Sequence, residues 1–208
     1  AVARQPAGSV RVHPSMNTTL DLIAAWHESP REAARMLMQE RALGPALLIL
    51  LMTIIGMHAG GLLLLGPSAK AAPIVLVAGG TARWIGAIIA LAILAAGVHF
   101  FAEMLGGAGR ATDLFAWFCL ASQPFMLLLP VGLIARALPA GGPILFAGAA
   151  FVIFLRTVWL QWRGVEELYA LPPGRARAAW ALPFVAGGGL AGVTVLLGVI
   201  ALLALAAA

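Results

Sequence analysis

The sequence predicts an all-α integral membrane protein, a five-span transmembrane helix bundle preceded by a short amphipathic interfacial helix. Hydrophobic residues make up 62% of the chain and charged residues only 10%, whereas an ordinary soluble domain has about a quarter of its residues charged. The apolar residues gather into runs, each near the roughly 20 residues that cross hydrocarbon. The arginines fall almost wholly between those runs. A net charge of +5 spread in this way reads as loops retained at an anionic membrane surface. It is not a basic stripe on a soluble face, so nucleic acid is not an expected partner. The single cysteine, Cys119, excludes an intramolecular disulfide and reads as a small buried hydrophobe.

Taken in order, residues 1–28 read as a leader. Residues 1–15 are rich in Pro, Gly and Arg without a period, Met16 is a candidate natural start, and no apolar run follows the early arginines as a secretory signal requires. Thr19 to Trp26 is a short amphipathic piece carrying Leu22, Ile23 and Trp26. The membrane domain, residues 29–208, opens on Ser29, Pro30 and Glu32, a capping box with proline at the first helical position. The helix this starts, about Pro30 to Arg41, mixes Met36, Leu37 and Met38 with Arg31, Arg35 and Glu40 and is expected to lie along the membrane surface.

Spans are expected at about Leu43–Leu65, Trp84–Leu105, Asp113–Arg136, Pro143–Trp162 and Ala179–Leu205. The segment Ala71–Ala82 is too short to cross and reads as a loop or re-entrant turn. Pro124 and Pro130 should kink the third span. Between the second and third spans, Gly106, Gly107 and Gly109 supply the backbone freedom to stop a helix at Leu105 and reverse the chain. Thr112 stands where an N-cap would, with Asp113 in the first turn of the next helix. The turn could also cradle a phosphate, but no strand pattern precedes it and the lysine of a P-loop is missing.

With the N-terminus cytoplasmic, that side holds Arg4, Arg11, Arg31, Arg35, Arg41, Arg110, Arg163, Arg175 and Arg177, against Lys70, Arg83 and Arg136 on the other. The positive-inside rule therefore orients the chain N-in and, with an odd span count, C-out. The glycine turn and the loop carrying Glu166, Glu167, Tyr169, Arg175 and Arg177 then face the cytoplasm.

Polar residues at membrane depth are the functional candidates. His99 and Glu103, at helical i,i+4 spacing, share a face. Arg156 shares a face with Arg163 in the fourth span and is expected to approach His99 or Glu103 across the bundle. The plain reading is structural pairing. A proton path and a metal site are the sharper alternatives, and His99 with Glu103 gives fewer ligands than a catalytic zinc takes from its protein. No cofactor, metal or catalytic set is expected. The pairs Gly56 and Gly60, Gly86 and Ala90, and Gly188 and Gly192 would let helices or copies of the chain approach closely. Trp84, Trp117, Trp159, Trp162 and Trp180 read as an aromatic belt.

The LGGAG turn of Leu105 to Gly109, with Asp113, Leu114 and the run to Ala121 and Pro124, resembles the Yip family of integral membrane proteins, named for interaction with Ypt and Rab GTPases. The stretch VWLQWRGVEELYALPPGRARAAW, Val158 to Trp180, is similar to that family's fourth span and following loop, at Gly164, Glu166, Tyr169, Gly174, Arg175 and Ala176. SPREAARMLM, Ser29 to Met38, resembles the family's Pro-Arg pair ahead of the first span, so the likeness covers about Ser29 to Leu205. It implies a five-span bundle with a cytoplasmic N-terminus and, in eukaryotic members, a role in vesicle traffic and membrane shaping. The bias toward Ala, Gly and Arg fits a bacterial cytoplasmic membrane.

Two functional classes follow from this. One is a non-enzymatic organiser or accessory protein that binds lipid, another membrane protein or a second copy of itself. The other is a small transporter or channel with a path past His99 and Glu103, flanked by Gln123, Pro124 and Pro130. On the charge argument, replacing Arg175 and Arg177 by Gln should weaken cytoplasmic retention of their loop, read by labelling a cysteine placed there; unchanged labelling would show that the other arginines suffice.

Overall fold

A computed structural model describes residues 29–40, 43–65, 73–138 and 140–206. The readings of the leader, of Met16 and of Arg41 and Lys70 lie outside these residues. Among them the chain is all helix, in the order α1 (Pro30–Glu40), α2 (Leu43–Leu65), α3 (Pro73–Met104), α4 (Ala111–Ala121), a 3-10 segment (Gln123–Leu127), α5 (Leu128–Arg136), α6 (Gly142–Tyr169) and α7 (Pro173–Ala206). Four stretches are long and apolar enough to cross a membrane: Leu43–Leu63, Val77–Met104, Ala111–Arg136 and Gly142–Tyr169. Large apolar side chains such as Ile89, Ile93, Phe151 and Val152 stand exposed on α3 and α6, which water would disfavour and a bilayer accepts.

The centre is α4. Asp113, Leu114, Ala116, Trp117, Phe118, Cys119, Leu120 and Ala121 are all buried, so the helix is enclosed on nearly every side by α1, α2, α3 and α6. Trp117 is fully buried and lies against Gly164 of α6, where any side chain would overlap the indole. The aromatic-belt reading therefore fails for Trp117, which is a core residue. Its ring nitrogen donates to the Leu160 carbonyl at 2.9 Å, which satisfies the polar tip of a buried indole. Cys119 is buried beside it.

Several expectations are corrected. Ala71–Ala82 is neither loop nor re-entrant turn: from Pro73 onward it is the first part of the continuous 32-residue α3. Pro73 at the first helical position removes a donor that would be unsatisfied there anyway, and the Gly79 and Gly80 pair is tolerated inside the helix. The third span does bend: α4 ends at Ala121, Pro124 sits in the 3-10 segment, and α5 restarts at Leu128. Helix α6 runs past Trp162 to Tyr169, and α7 begins at Pro173, before Ala179. Glu166, Glu167 and Tyr169 are thus in the last turns of a helix and not in a loop. The turn itself is short, with Ala170 left-handed at φ 51° closing α6.

Small residues set the closest approaches. A Cβ on Gly132 of α5 would stand 2.6 Å from the Gly60 carbonyl oxygen of α2, and one on Gly56 would stand 3.3 Å from Met126 Cα. A Cβ on Gly97 of α3 would meet Pro183 of α7 at 3.2 Å. Among the described residues nothing lies within 4 Å of a Cβ on Gly86 or Gly188, so neither sets a helix–helix approach there. Gly60→Leu or Gly132→Val should destabilise the bundle by about 1–3 kcal/mol through forced separation of α2 and α5. Gly86→Ala should be neutral or stabilising by up to about 1 kcal/mol. Unfolding midpoints in detergent check both, and equal effects at Gly60 and Gly86 would contradict the assigned interface.

Candidate functional site

The site is the end of the bundle where α1, the glycine turn, the end of α6 and the start of α7 meet. Local backbone chemistry builds it first. Gly106 takes φ 88°, its N–H bonds the Glu103 carbonyl at 3.0 Å, and the Gly107 N–H bonds the Ala102 carbonyl at 2.9 Å. These paired bonds form the Schellman closure of α3, which needs a residue free to adopt left-handed backbone. Gly107 and Gly109 do a different job. A Cβ on either would stand 2.9 Å from the Tyr169 side chain, so the missing side chains let the turn lie directly on that ring.

Tyr169 is only 2% exposed, the aromatic plug of this end. Its hydroxyl and His99 Nδ1 are 2.7 Å apart, and His99 Nε2 lies 3.5 Å from Glu103 Oε1. A carboxylate accepts, so Nε2 carries a hydrogen toward Glu103; with Nδ1 free of one, the phenol donates to it. His99 and Glu103 share a face as their spacing requires, but the partner across the bundle is Tyr169. Arg156 does not approach either residue. It is exposed on α6, and its guanidinium lies over the Trp159 ring at 4.3 Å, with Arg163 over the same ring at 5.6 Å. An aromatic face three residues away on the same helix supplies the contact that the expected pairing would have supplied.

Arg110 joins the turn to α1. Its Nε donates to Asp113 Oδ2 at 2.9 Å and its terminal nitrogen donates to the Met38 carbonyl at 2.9 Å. Arg110 is also the N-cap of α4, with no side-chain cap bond, and Thr112 lies inside the helix and is exposed. The N-cap expected at Thr112 is therefore two residues out. Arg31 Nε donates to Glu167 Oε1 at 2.8 Å, which holds the Arg31 guanidinium further above its ordinary range, and Arg163 donates to Glu166 Oε2 at 2.9 Å. Arg175 reaches the Leu105 carbonyl at 3.4 Å, and Arg177 the Pro173 carbonyl at 3.2 Å.

Sequence spacing points to His99 with Glu103 and to the glycine turn. It misses the Trp117 and Gly164 contact and the Arg83 contact with His58. Spacing carries no signal for the first, since Trp117 and Gly164 are on different helices, and the second depends on α3 extending back through Gly80 to face His58. Chemically, the end is a set of hydrogen-bonded pairs that serve one another.

Residues 26–196 match the Yip1 domain family. No curated protein and no solved structure matches the chain.

The Tyr169 plug yields a graded test. Tyr169→Phe should cost about 1 kcal/mol, the worth of one hydrogen bond. Tyr169→Ala should cost about 3–5 kcal/mol, because the glycine turn loses the ring it rests on. Thermal unfolding in detergent gives the order; equal losses for the two variants would mean that the ring contact with Gly107 and Gly109 contributes nothing.

Proposed function

From the premise that this chain belongs to the Yip1 domain family, we propose that it is a non-enzymatic multi-pass membrane protein that organises or assists others by binding lipid or a membrane protein at the end built around Tyr169. In this reading α7, helical from Pro173 to Ala206, is the fifth span. The α1 helix lies at the interface, burying Ala33, Ala34 and Leu37 and presenting Arg31, Glu32 and Arg35 outward. The positive-inside rule puts this end in the cytoplasm, with the N-terminus inside and the C-terminus outside, across a bacterial cytoplasmic membrane.

One observation carries the proposal: the polar groups at this end are consumed in fixing helices to each other, while the outer surfaces of Arg31, Arg35, Arg175 and Arg177 stay exposed. Arg110 ties the turn to α1, Arg31 ties α1 to α6, and Arg175 ties α7 back to the turn. That is how a rigid docking platform is built.

The test is photocrosslinking in living membranes from a reactive residue placed at Arg35 or Gly174, with Phe151 on the apolar surface of α6 as the control position. A discrete adduct with a membrane protein or anionic lipid from the first two positions, and only diffuse lipid labelling from the third, is the expected outcome. Indistinguishable patterns from all three would remove the platform.

A further inference from the structure

A cleft of about 320 Å³ opens between Leu51, Ile55 and His58 of α2 and Val77, Gly80 and Trp84 of α3. It is separate from the end built around Tyr169. Its wall is mostly apolar, yet it holds two buried nitrogens without hydrogen-bond partners, His58 Nε2 and Trp84 Nε1. His58 is 9% exposed. The backbone of α3 presses on its ring, since a Cβ on Gly79 would stand 3.5 Å from His58 Cε1.

The other side of the imidazole fixes its chemistry. His58 Nδ1 meets a terminal nitrogen of Arg83. A guanidinium only donates, so Nδ1 accepts and Nε2 bears the hydrogen. An indole N–H only donates as well. The wall of the cleft therefore carries two orphaned donors beside a cation, each nitrogen covered in this conformation, and buried donors left unpaired are unfavourable. What is missing is an acceptor, and a negatively charged one: α2 and α3 carry no carboxylate except Glu103, at the far end of α3.

Position identifies the kind of molecule. Arg83 precedes Met104 by 21 residues of continuous helix, about 31 Å by helical rise, which is about the thickness of the hydrocarbon core. With the glycine turn at one surface, Arg83, His58 and Trp84 stand at the headgroup boundary of the other. Ile55 and Leu51 lie one and two turns further toward the middle of the bilayer.

We propose that this cleft holds an anionic glycerophospholipid of the leaflet opposite the glycine turn. Its phosphodiester oxygens take the N–H groups of Arg83 and, once the two rings turn toward the cleft, of His58 and Trp84, and an acyl chain lies against Leu51 and Ile55. A soluble phosphate would satisfy the donors but leave the apolar wall unfilled. The site goes beyond the platform described above and stands on different residues, at the opposite end.

Full-length protein, stripped of lipid in detergent, is titrated with phosphatidylglycerol and with phosphatidylcholine, and retained lipid is read by native mass spectrometry. Phosphatidylglycerol should be held in preference, and Arg83→Gln should lower its retention about tenfold, the loss of one charge-assisted contact. Arg83→Lys should restore most of it, Trp84→Phe should lower it several-fold, and Arg156→Gln, on α6 and in neither site, should leave it unchanged. Helicity is checked by circular dichroism, and Trp84→Phe carries the test if Arg83→Gln fails to fold. Equal retention of the two lipids, or undiminished retention in folded Arg83→Gln and Trp84→Phe, overturns the proposal. So does displacement of the lipid by inorganic phosphate, which would assign the donors to a free anion.

Discussion

The bundle depends on the contact between Trp117 and Gly164. An indole fully enclosed at the middle of α4 needs a neighbouring helix without a side chain at that point, and α6 provides it. The Leu160 carbonyl, one turn back on α6, takes the ring proton. In a bilayer the hydrophobic effect does not draw helices together, so close fit and satisfied hydrogen bonds must. This contact supplies both at once. Around it α4 becomes the helix that the others surround, and α2, α3 and α6 keep their outer faces for lipid.

The two ends of that bundle are unlike each other. At the end of the glycine turn three arginines find carboxylates: Arg31 with Glu167, Arg110 with Asp113, Arg163 with Glu166. Exposed pairs of this kind contribute little to stability, and Arg31 stands 70% exposed. Their value is geometric, since each joins a different pair of elements or stiffens a helix end. At the other end Arg83 meets a histidine in place of a carboxylate, and the donors beside it are left over. One end is closed on itself and the other is open to a ligand.

Much of this was legible in the sequence, and the failures have physical causes. Helices over Leu43–Leu65 and from Pro30 are found as expected, because an unbroken apolar run and a proline following serine each have one structural meaning. His99 and Glu103 share a face because i,i+4 spacing leaves no choice. The length of α3 was not legible: Gly79, Gly80 and Arg83 look like the end of a short segment until His58 and the facing α2 backbone are in place. Glu166 and Glu167 look like loop residues, but Arg163 and Arg31 pair with them and the helix carries on to Tyr169. Arg156 needs no distant partner, since Trp159, one turn away, is the nearer one. Each failure came from a tertiary or same-helix partner that composition does not display.

The turn between α3 and α4 also bears on how the protein enters its membrane. Residues 105–110 are the whole linker, and even fully extended it would reach only about 24 Å, short of the roughly 30 Å of hydrocarbon. The end of α3 and the start of α4 can never occupy opposite surfaces. Whatever inserts this chain must accept the two as one hairpin, so a topology with either span reversed alone is barred by length before any charge is consulted.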